Sequence, residues 1–162
     1  MAPAKQNVIN AIVRENAARM LIYGPSLAGG RHARPDTRME VISARRADAL
    51  VAVSPDLGRV KLARTVSQLL EADFAVVTKT RPAHEVAEAA EVIGDVSGKL
   101  VLLGDDMIVT GGTLATAAEA VLVAGAREVR AFATHGLFAP GALASLERAG
   151  ISEIVVTDTV AL

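Results

Sequence analysis

The sequence predicts an α/β fold in which a mainly parallel sheet is flanked by helices. Short apolar runs typical of buried strands alternate with segments whose apolar residues have helical spacing. Residues 99–125 alone contain a complete strand, turn and helix. The 162 residues are 51% hydrophobic, which suffices for one core but not for a second full domain. We therefore expect residues 1–162 to form a single domain.

The predicted elements alternate along the chain, as in a sheet whose parallel strands are joined by helices. Predicted strands lie at residues 21–23, 49–53, 74–77, 100–103, 128–133 and 153–156. Predicted helices cover residues 8–20, 60–70, 113–125 and 141–149. Residues 24–38 are rich in glycine, proline and arginine, which predicts a loop.

Composition excludes several classes of function. The 17 Lys and Arg residues nearly balance the 18 Asp and Glu residues, and no basic run stands out, so a broad nucleic-acid interface is not expected. The chain has no cysteine, which rules out disulfides and thiolate metal sites. No apolar run reaches membrane-spanning length, and the N-terminus lacks a signal-peptide core. We expect a cytoplasmic protein with no membrane partner.

Two carboxylates, Asp105 and Asp106, follow the apolar run at residues 100–103 and the glycine at position 104. Carboxylate oxygens accept hydrogen bonds from hydroxyl groups and from water bound to Mg²⁺. At the end of a parallel strand, both side chains could face a polyol or a metal-bound oligophosphate. The pair is therefore a candidate for binding sugar hydroxyls.

A phosphate-binding turn is predicted directly after the acids. Glycines let the backbone approach a ligand, and threonine hydroxyls and the first free amides of a helix can hold a phosphate. The residues of this turn are Thr110, Gly111, Gly112 and Thr113. A 5-phosphoribosyl group, which carries vicinal hydroxyls and a phosphate, would satisfy both the acids and the turn. The alternative is an ordinary strand-to-helix turn with Thr113 as N-cap and two solvated acids.

Two further segments are expected at the same edge of the sheet. Residues 54–58 follow the second predicted strand, and residues 79–81 follow the third. Ligands in α/β folds bind at the carboxyl ends of parallel strands. Together with residues 105–113, these segments imply one pocket.

The stretch containing the acids and the turn resembles the PRPP-binding motif of type I phosphoribosyltransferases. Other segments narrow the resemblance to the ribose-phosphate pyrophosphokinases, or PRPP synthetases, and they lie at residues 51–64, 78–82, 91–113, 133–135 and 155–159. Residues 49–162 resemble the family's C-terminal half. Within residues 1–48, only 30–34 and 40–45 resemble a piece of its N-terminal, ATP-binding half. The family's metal-binding histidine segment and adenine-binding loop have no counterpart.

The resemblance implies a role for each matching residue. Asp105 and Asp106 would bind the ribose hydroxyls, and the turn at residues 110–113 would bind the 5-phosphate. Lys79 and Arg81 would be catalytic, because two cations can neutralise charge that builds up on the transferred group. The pyrophosphate loop would comprise Ser54, Asp56, Gly58 and Arg59. Mg²⁺ would be the cofactor, held through metal-bound water by Asp56, Asp105 and Asp106.

The sequence departs from the family's pattern at three positions. Family members usually have a glycine where Arg59 stands, an arginine where Leu62 stands and an aspartate where Val109 stands. Arg59 could block the approach of a ligand to the backbone, or supply the charge that Leu62 lacks. Residues 84–93 have helical alanine content, but the resemblance favours a strand or arm there.

Three functions follow from the resemblance. The first is ribose-phosphate diphosphokinase activity, with Mg·ATP and ribose 5-phosphate giving PRPP and AMP. The second is a PRPP-consuming phosphoribosyltransferase, and the third is a non-catalytic relative that regulates a synthetase. The expected partners are ribose 5-phosphate or PRPP, ATP for the first function, and further copies of the chain. In such a homo-oligomer, Arg31 or Arg34 of the loop at residues 24–38 would reach a neighbour's pocket.

Overall fold

The computed structural model of the chain describes residues 20–23, 31–32, 49–80, 89–157 and 159–160. Within these ranges, the strands are β1 (Met20–Tyr23), β2 (Arg31–His32), β3 (Leu50–Ser54), β4 (Asp73–Thr80), β5 (Ala89–Ile93), β6 (Leu100–Ile108), β7 (Glu128–Gly136) and β8 (Ile151–Thr157). The helices are a 3₁₀ turn (Leu57–Arg59), α1 (Val60–Leu70), α2 (Gly112–Val123) and α3 (Ala142–Arg148). Three predicted segments lie outside the described residues, apart from Met20 of β1 and the two residues of β2. They are the helix at residues 8–20, the loop at residues 24–38 and the segment at residues 40–45.

The strands form one sheet in the order β2-β1-β8-β7-β6-β3-β4-β5. Its centre is parallel, because β3 pairs in parallel with β4 and β6, and β6, β7 and β8 follow in parallel register. Antiparallel pairs occur only towards the edges of the described sheet, where β1 joins β8 and β2, and where β5 joins β4. The predicted α/β fold with a mainly parallel sheet is confirmed.

The sheet has an apolar layer on each face, because successive residues of a strand point to opposite faces. In β3, Val51 and Val53 belong to the larger cluster, which includes residues of α2 and α3, whereas Ala52 belongs to the cluster beneath α1. Leu62 of α1 packs against this second cluster. Leu62, at a position where the resemblance predicts an arginine, thus contributes to the core beneath α1.

The strand before the acids is longer than the predicted strand at residues 100–103. The strand β6 continues to Ile108 and pairs with β7 as far as Gly136. Gly104 lies opposite Phe132 in this register, and a Cβ at position 104 would lie 2.7 Å from Cε1 of the phenyl ring. The glycine therefore makes room for a neighbouring ring instead of ending the strand, and both acids lie within the last part of β6.

Most of the other strands are also longer than predicted. β4 runs to Thr80, so the backbone of Lys79 is part of the strand, in register with Ala90 of β5. β5 is extended, which confirms the strand favoured for the last part of residues 84–93. Residues 81–88, including Arg81 and His84, lie outside the described ranges. No helix within the described ranges is long and apolar enough to span a membrane.

The close approach of Phe132 to Gly104 leads to a stability prediction. Gly104→Ala should lower the free energy of unfolding by about 1–3 kcal/mol, the usual cost of adding atoms to a packed site. Urea denaturation followed by circular dichroism measures this change. The control is Gly112→Ala, because a Cβ there would meet nothing closer than Thr110 Oγ1 at 3.7 Å.

The cause of the destabilisation can be tested in the same experiment. In a Phe132→Leu background the ring is absent, so the cost of Gly104→Ala should shrink. An equal cost in both backgrounds would show that the ring is not what requires glycine at position 104.

Candidate functional site

The loop after β3 is held by its own polar side chains. Ser54 is buried, and its hydroxyl donates to the carbonyl oxygen of Asp56 at 2.6 Å. Oδ1 of Asp56 accepts hydrogen bonds from the amides of Gly58, at 2.8 Å, and Arg59, at 3.1 Å. Asp56 is therefore the N-cap of the 3₁₀ turn. Two amides of the predicted pyrophosphate loop already have an anionic partner inside the chain.

Arg59 joins this loop to both predicted acids. Its Nε atom donates to Asp105 Oδ1 at 2.7 Å, and Nη2 donates to Asp106 Oδ1 at 2.6 Å. Asp105 Oδ1 also accepts from the amide of Asp106 at 2.8 Å. The side chain of Asp105 is 12% exposed, compared with 36% for Arg59 and 45% for Asp106. The bonds from Arg59 are charge-assisted. The side chains of Arg59, Asp105 and Asp106 together form the Arg59 bridge.

The bridge is possible because β3 and β6 are neighbours in the sheet. Val53 of β3 is in register with Leu103 of β6. Arg59 lies shortly after the end of β3 and the acids lie in the last part of β6, so the two halves of the bridge meet at the same edge of the sheet. Sequence reasoning placed both segments in one pocket but did not pair Arg59 with the acids. The partners lie 46 and 47 residues apart, so only the predicted strand order could have indicated the pairing.

Burial and charge act in opposite directions on the acids. Burial raises the pKa of Asp105, and the hydrogen bond from Arg59 offsets this only in part. Burial also opposes ionisation of Asp106, but its hydrogen bond with Asp105 and the charge of Arg59 outweigh it, so the pKa of Asp106 is lowered. The hydrogen bond to Asp105 raises the pKa of Arg59. Asp106 is therefore the first of the two acids to ionise as the pH rises.

The predicted phosphate turn connects β6 to α2. Gly111 is the N-cap of α2, with a left-handed backbone (φ 77°), and a Cβ there would lie 2.8 Å from Cγ of Leu146. The Thr110 hydroxyl accepts from the amide of Gly112 at 3.4 Å. The alternative in which Thr113 is the N-cap is wrong, because Thr113 lies inside the first turn. The N-cap residue Gly111 has no side chain that could cap this helix end, and the contact with Thr110 is long, so an anion can bind the first amides of α2.

His135, in the segment at residues 133–135 that carries part of the resemblance, lies at the end of β7. His135 of β7 is in register with Met107 of β6, and its Nδ1 lies 2.7 Å from the hydroxyl of Thr159. Thr157 and Thr159 both donate to the carbonyl oxygen of Thr134. The His135 ring therefore belongs to a hydroxyl network at the ends of β7 and β8.

The structure does not test the two predicted catalytic cations. Only the backbone of Lys79 is described, and Arg81 lies outside the described residues.

A family model described as the phosphoribosyl synthetase-associated domain matches residues 58–162. The chain belongs to the PRPP synthetase family. The chain is 46% identical over 121 residues to the ribose-phosphate pyrophosphokinase of Chromobacterium violaceum, covering 75% of this chain and 37% of that relative. It thus spans little more than a third of the length of this curated relative.

Solved structures agree with this assignment. The crystal structure of phosphoribosylpyrophosphate synthetase from Mycobacterium smegmatis matches with a TM-score of 0.58 and 36% identity, covering 68% of this chain and 36% of that one. An adenine phosphoribosyltransferase matches with a TM-score of 0.53 and 17% identity, covering 71% of each chain. The second likeness concerns the fold alone, which is that of the type I phosphoribosyltransferases.

The acids do not fit a directly coordinated Mg²⁺ ion in the presence of Arg59. Oδ1 of Asp105 and Oδ1 of Asp106 both accept from the guanidinium, and Oδ1 of Asp56 accepts from two amides. Among the described residues, no group of three or more Asp, Glu or His side chains could hold a metal ion. The predicted contact of these acids with Mg²⁺ through bound water stays a prediction.

The Arg59 bridge predicts how the acids titrate. Arg59→Gln should raise the pKa of both Asp105 and Asp106, because the guanidinium lowers both through its charge and, at Asp105, a hydrogen bond. Carboxyl ¹³C NMR recorded across the acidic pH range measures both values. Arg64→Gln, which removes an exposed charge from the same helix, should leave them unchanged. Equal titration curves in the wild type and Arg59→Gln would mean that the bridge does not form in solution.

Proposed function

We propose that this chain binds ribose 5-phosphate at the carboxyl edge of its sheet and acts as a ribose-phosphate diphosphokinase. The reaction would transfer the β,γ-diphosphoryl group of Mg·ATP to O1 of ribose 5-phosphate, giving PRPP and AMP. One observation carries the proposal. The end of β6 presents an acid pair, and the same short segment leads into a helix start that has a glycine as N-cap and is lined by threonines.

The two halves of this segment suit the two ends of a ribose phosphate. In the proposal, Asp105 and Asp106 accept hydrogen bonds from the ribose hydroxyls through their Oδ2 atoms, because both Oδ1 atoms accept from Arg59. The 5-phosphate is bound by the first amides of α2 and by the hydroxyls of Thr110 and Thr113. A carboxylate pair favours hydroxyl donors and a helix start favours anions, so the ligand can bind in only one orientation.

The diphosphoryl group would lie between the loop after β3 and the end of β4. Lys79 and Arg81 supply positive charge to this group in the proposal, which is the main contribution a protein makes to phosphoryl transfer. Ser54, Asp56 and Gly58 shape the loop on the other side. Mg²⁺ enters as part of the Mg·ATP substrate.

We also propose that the single domain works as a homo-oligomer. Large apolar side chains are exposed around the carboxyl edge, where they would be covered by a neighbouring copy, and they are Leu57, Met107, Val109 and Leu137. In this proposal a neighbouring copy would also contribute to the nucleotide site. In this arrangement, Arg31 or Arg34 reaches the pocket of the other copy.

Specific observations favour each of the two alternative functions. Val109 is 41% exposed beside the phosphate turn, at a position where most pyrophosphokinases carry an aspartate, and phosphoribosyltransferases accept varied residues there. A non-catalytic ribose-phosphate-binding relative is favoured by the Arg59 bridge, which already compensates part of the charge of the acids.

The proposal is tested with purified protein, ribose 5-phosphate, Mg²⁺ and ATP. We expect AMP and PRPP to form together, and only when ribose 5-phosphate is present. Asp105→Asn combined with Asp106→Asn should abolish both ribose 5-phosphate binding in calorimetry and AMP release, with an unchanged circular dichroism spectrum. The control, Glu119→Gln combined with Glu147→Gln, removes two exposed charges from α2 and α3 and should keep both properties.

The outcomes separate the three functions. Binding of ribose 5-phosphate without AMP release would favour the non-catalytic relative, and consumption of added PRPP with an acceptor base would favour a phosphoribosyltransferase. Unchanged affinity in the double acid variant would contradict the site itself.

A further inference from the structure

We infer that Arg59 takes the place of a divalent cation at the acid pair, so that ribose hydroxyls bind there without a metal requirement. This inference rests on the proposed function, since it concerns how the same acids meet their ligand. It assigns Arg59 a positioning role, because the side chain acts on the ligand through Asp105 and Asp106. The resemblance gives the residue no such role, because relatives usually carry a glycine at this position.

The first argument is geometric. The Nε and Nη2 atoms of one planar guanidinium engage one oxygen of each carboxylate, at 2.7 and 2.6 Å. A single cationic group thus fixes the spacing and orientation of the two acids, as a shared metal ion would. The second oxygen of each carboxylate, Oδ2, stays out of these two bonds and can accept from a hydroxyl.

The second argument is electrostatic. The side chain of Asp105 is only 12% exposed, and burial disfavours its charged form. An ionised pair at this position needs a nearby positive charge, and Arg59 supplies it from within the chain. A divalent cation approaching the same oxygens would meet the guanidinium as a like charge at close range, which disfavours its binding.

The third argument concerns how Arg59 itself is held. The amides of Arg59 and Gly58 both donate to Asp56 Oδ1, and the hydroxyl of Ser54 donates to the carbonyl oxygen of Asp56. Arg59 is also the N-cap of α1, whose Leu62, Val66 and Leu70 pack against the sheet. The backbone from which the guanidinium projects is therefore held on both sides, by the loop after β3 and by α1.

Direct binding of Mn²⁺ as a probe cation tests the inference. The wild type should show no Mn²⁺ site at the acid pair by electron paramagnetic resonance titration, whereas Arg59→Ala should acquire one. That new site should disappear when Asp105→Asn and Asp106→Asn are added. Arg64→Ala, which removes an exposed charge from the same helix, should behave as the wild type.

Ribose 5-phosphate binding gives the second readout. By calorimetry, the wild type should bind equally well in EDTA and in Mg²⁺, whereas the affinity of Arg59→Ala should rise with Mg²⁺ by about tenfold, the usual scale of coupling between two ligands. Arg59→Gln keeps most of the side chain without its charge. If Arg59→Ala loses its native circular dichroism spectrum, the Mn²⁺ titration and the calorimetry are repeated with Arg59→Gln.

Each result has a defined meaning. An Mn²⁺ site at the acid pair of the wild type, or none in either Arg59 variant, would overturn the inference. So would a wild-type ribose 5-phosphate affinity that depends on Mg²⁺. If neither the wild type nor the Arg59 variants bind ribose 5-phosphate in EDTA or in Mg²⁺, the proposed function fails. The Mn²⁺ titrations then still decide whether Arg59 takes the place of a cation.

Discussion

The bond from one guanidinium to two carboxylates links the two parts of the chain that form the candidate site. Arg59 is the N-cap of α1, beyond the end of β3, and Asp105 and Asp106 lie in the last part of β6, the neighbouring strand. Without this link, two adjacent carboxylates would repel each other at the sheet edge, and one of them is largely buried. The bridge therefore determines both the charge of the site and the separation of its loops.

The position of the acids depends in turn on a packing constraint further down the same strand. Gly104 allows the ring of Phe132 to lie against β6, and the strand can then continue past the glycine to Ile108. A Cβ at position 104 would collide with the ring of Phe132, so the ring would have to shift just before the acids in β6. The geometry of the bridge is thus supported by the apolar layer beneath α1, to which Phe132 belongs.

Much of this fold could be predicted from the sequence because its elements are locally encoded. The helix α1 has the predicted bounds, and the apolar runs predicted a mainly parallel sheet but not the order of the strands within it. The end of β6 was wrong because a glycine within a strand has the same local appearance as one that ends it. Only the position of Phe132 on the next strand distinguishes the two cases.

The candidate site was predicted as a set of segments but not as a network. The acids and the phosphate turn have a recognisable motif, whereas the partner of the acids depends on contacts between distant parts of the chain. Arg59 stood out as a departure from the family's glycine, and two roles for it remained open on sequence grounds. The structure adds a third, in which its charge is directed at Asp105 and Asp106 rather than at the backbone or at a replacement for Leu62.

Double-mutant cycles measured by urea denaturation test the central claim most directly. One cycle combines Arg59→Ala with Asp105→Asn, and the other combines Arg59→Ala with Asp106→Asn. We expect a favourable coupling free energy of about 1 kcal/mol in the first cycle and a smaller one in the second, because Asp105 is less exposed to solvent than Asp106. Additive effects in both cycles would show that Arg59 does not bridge the two acids.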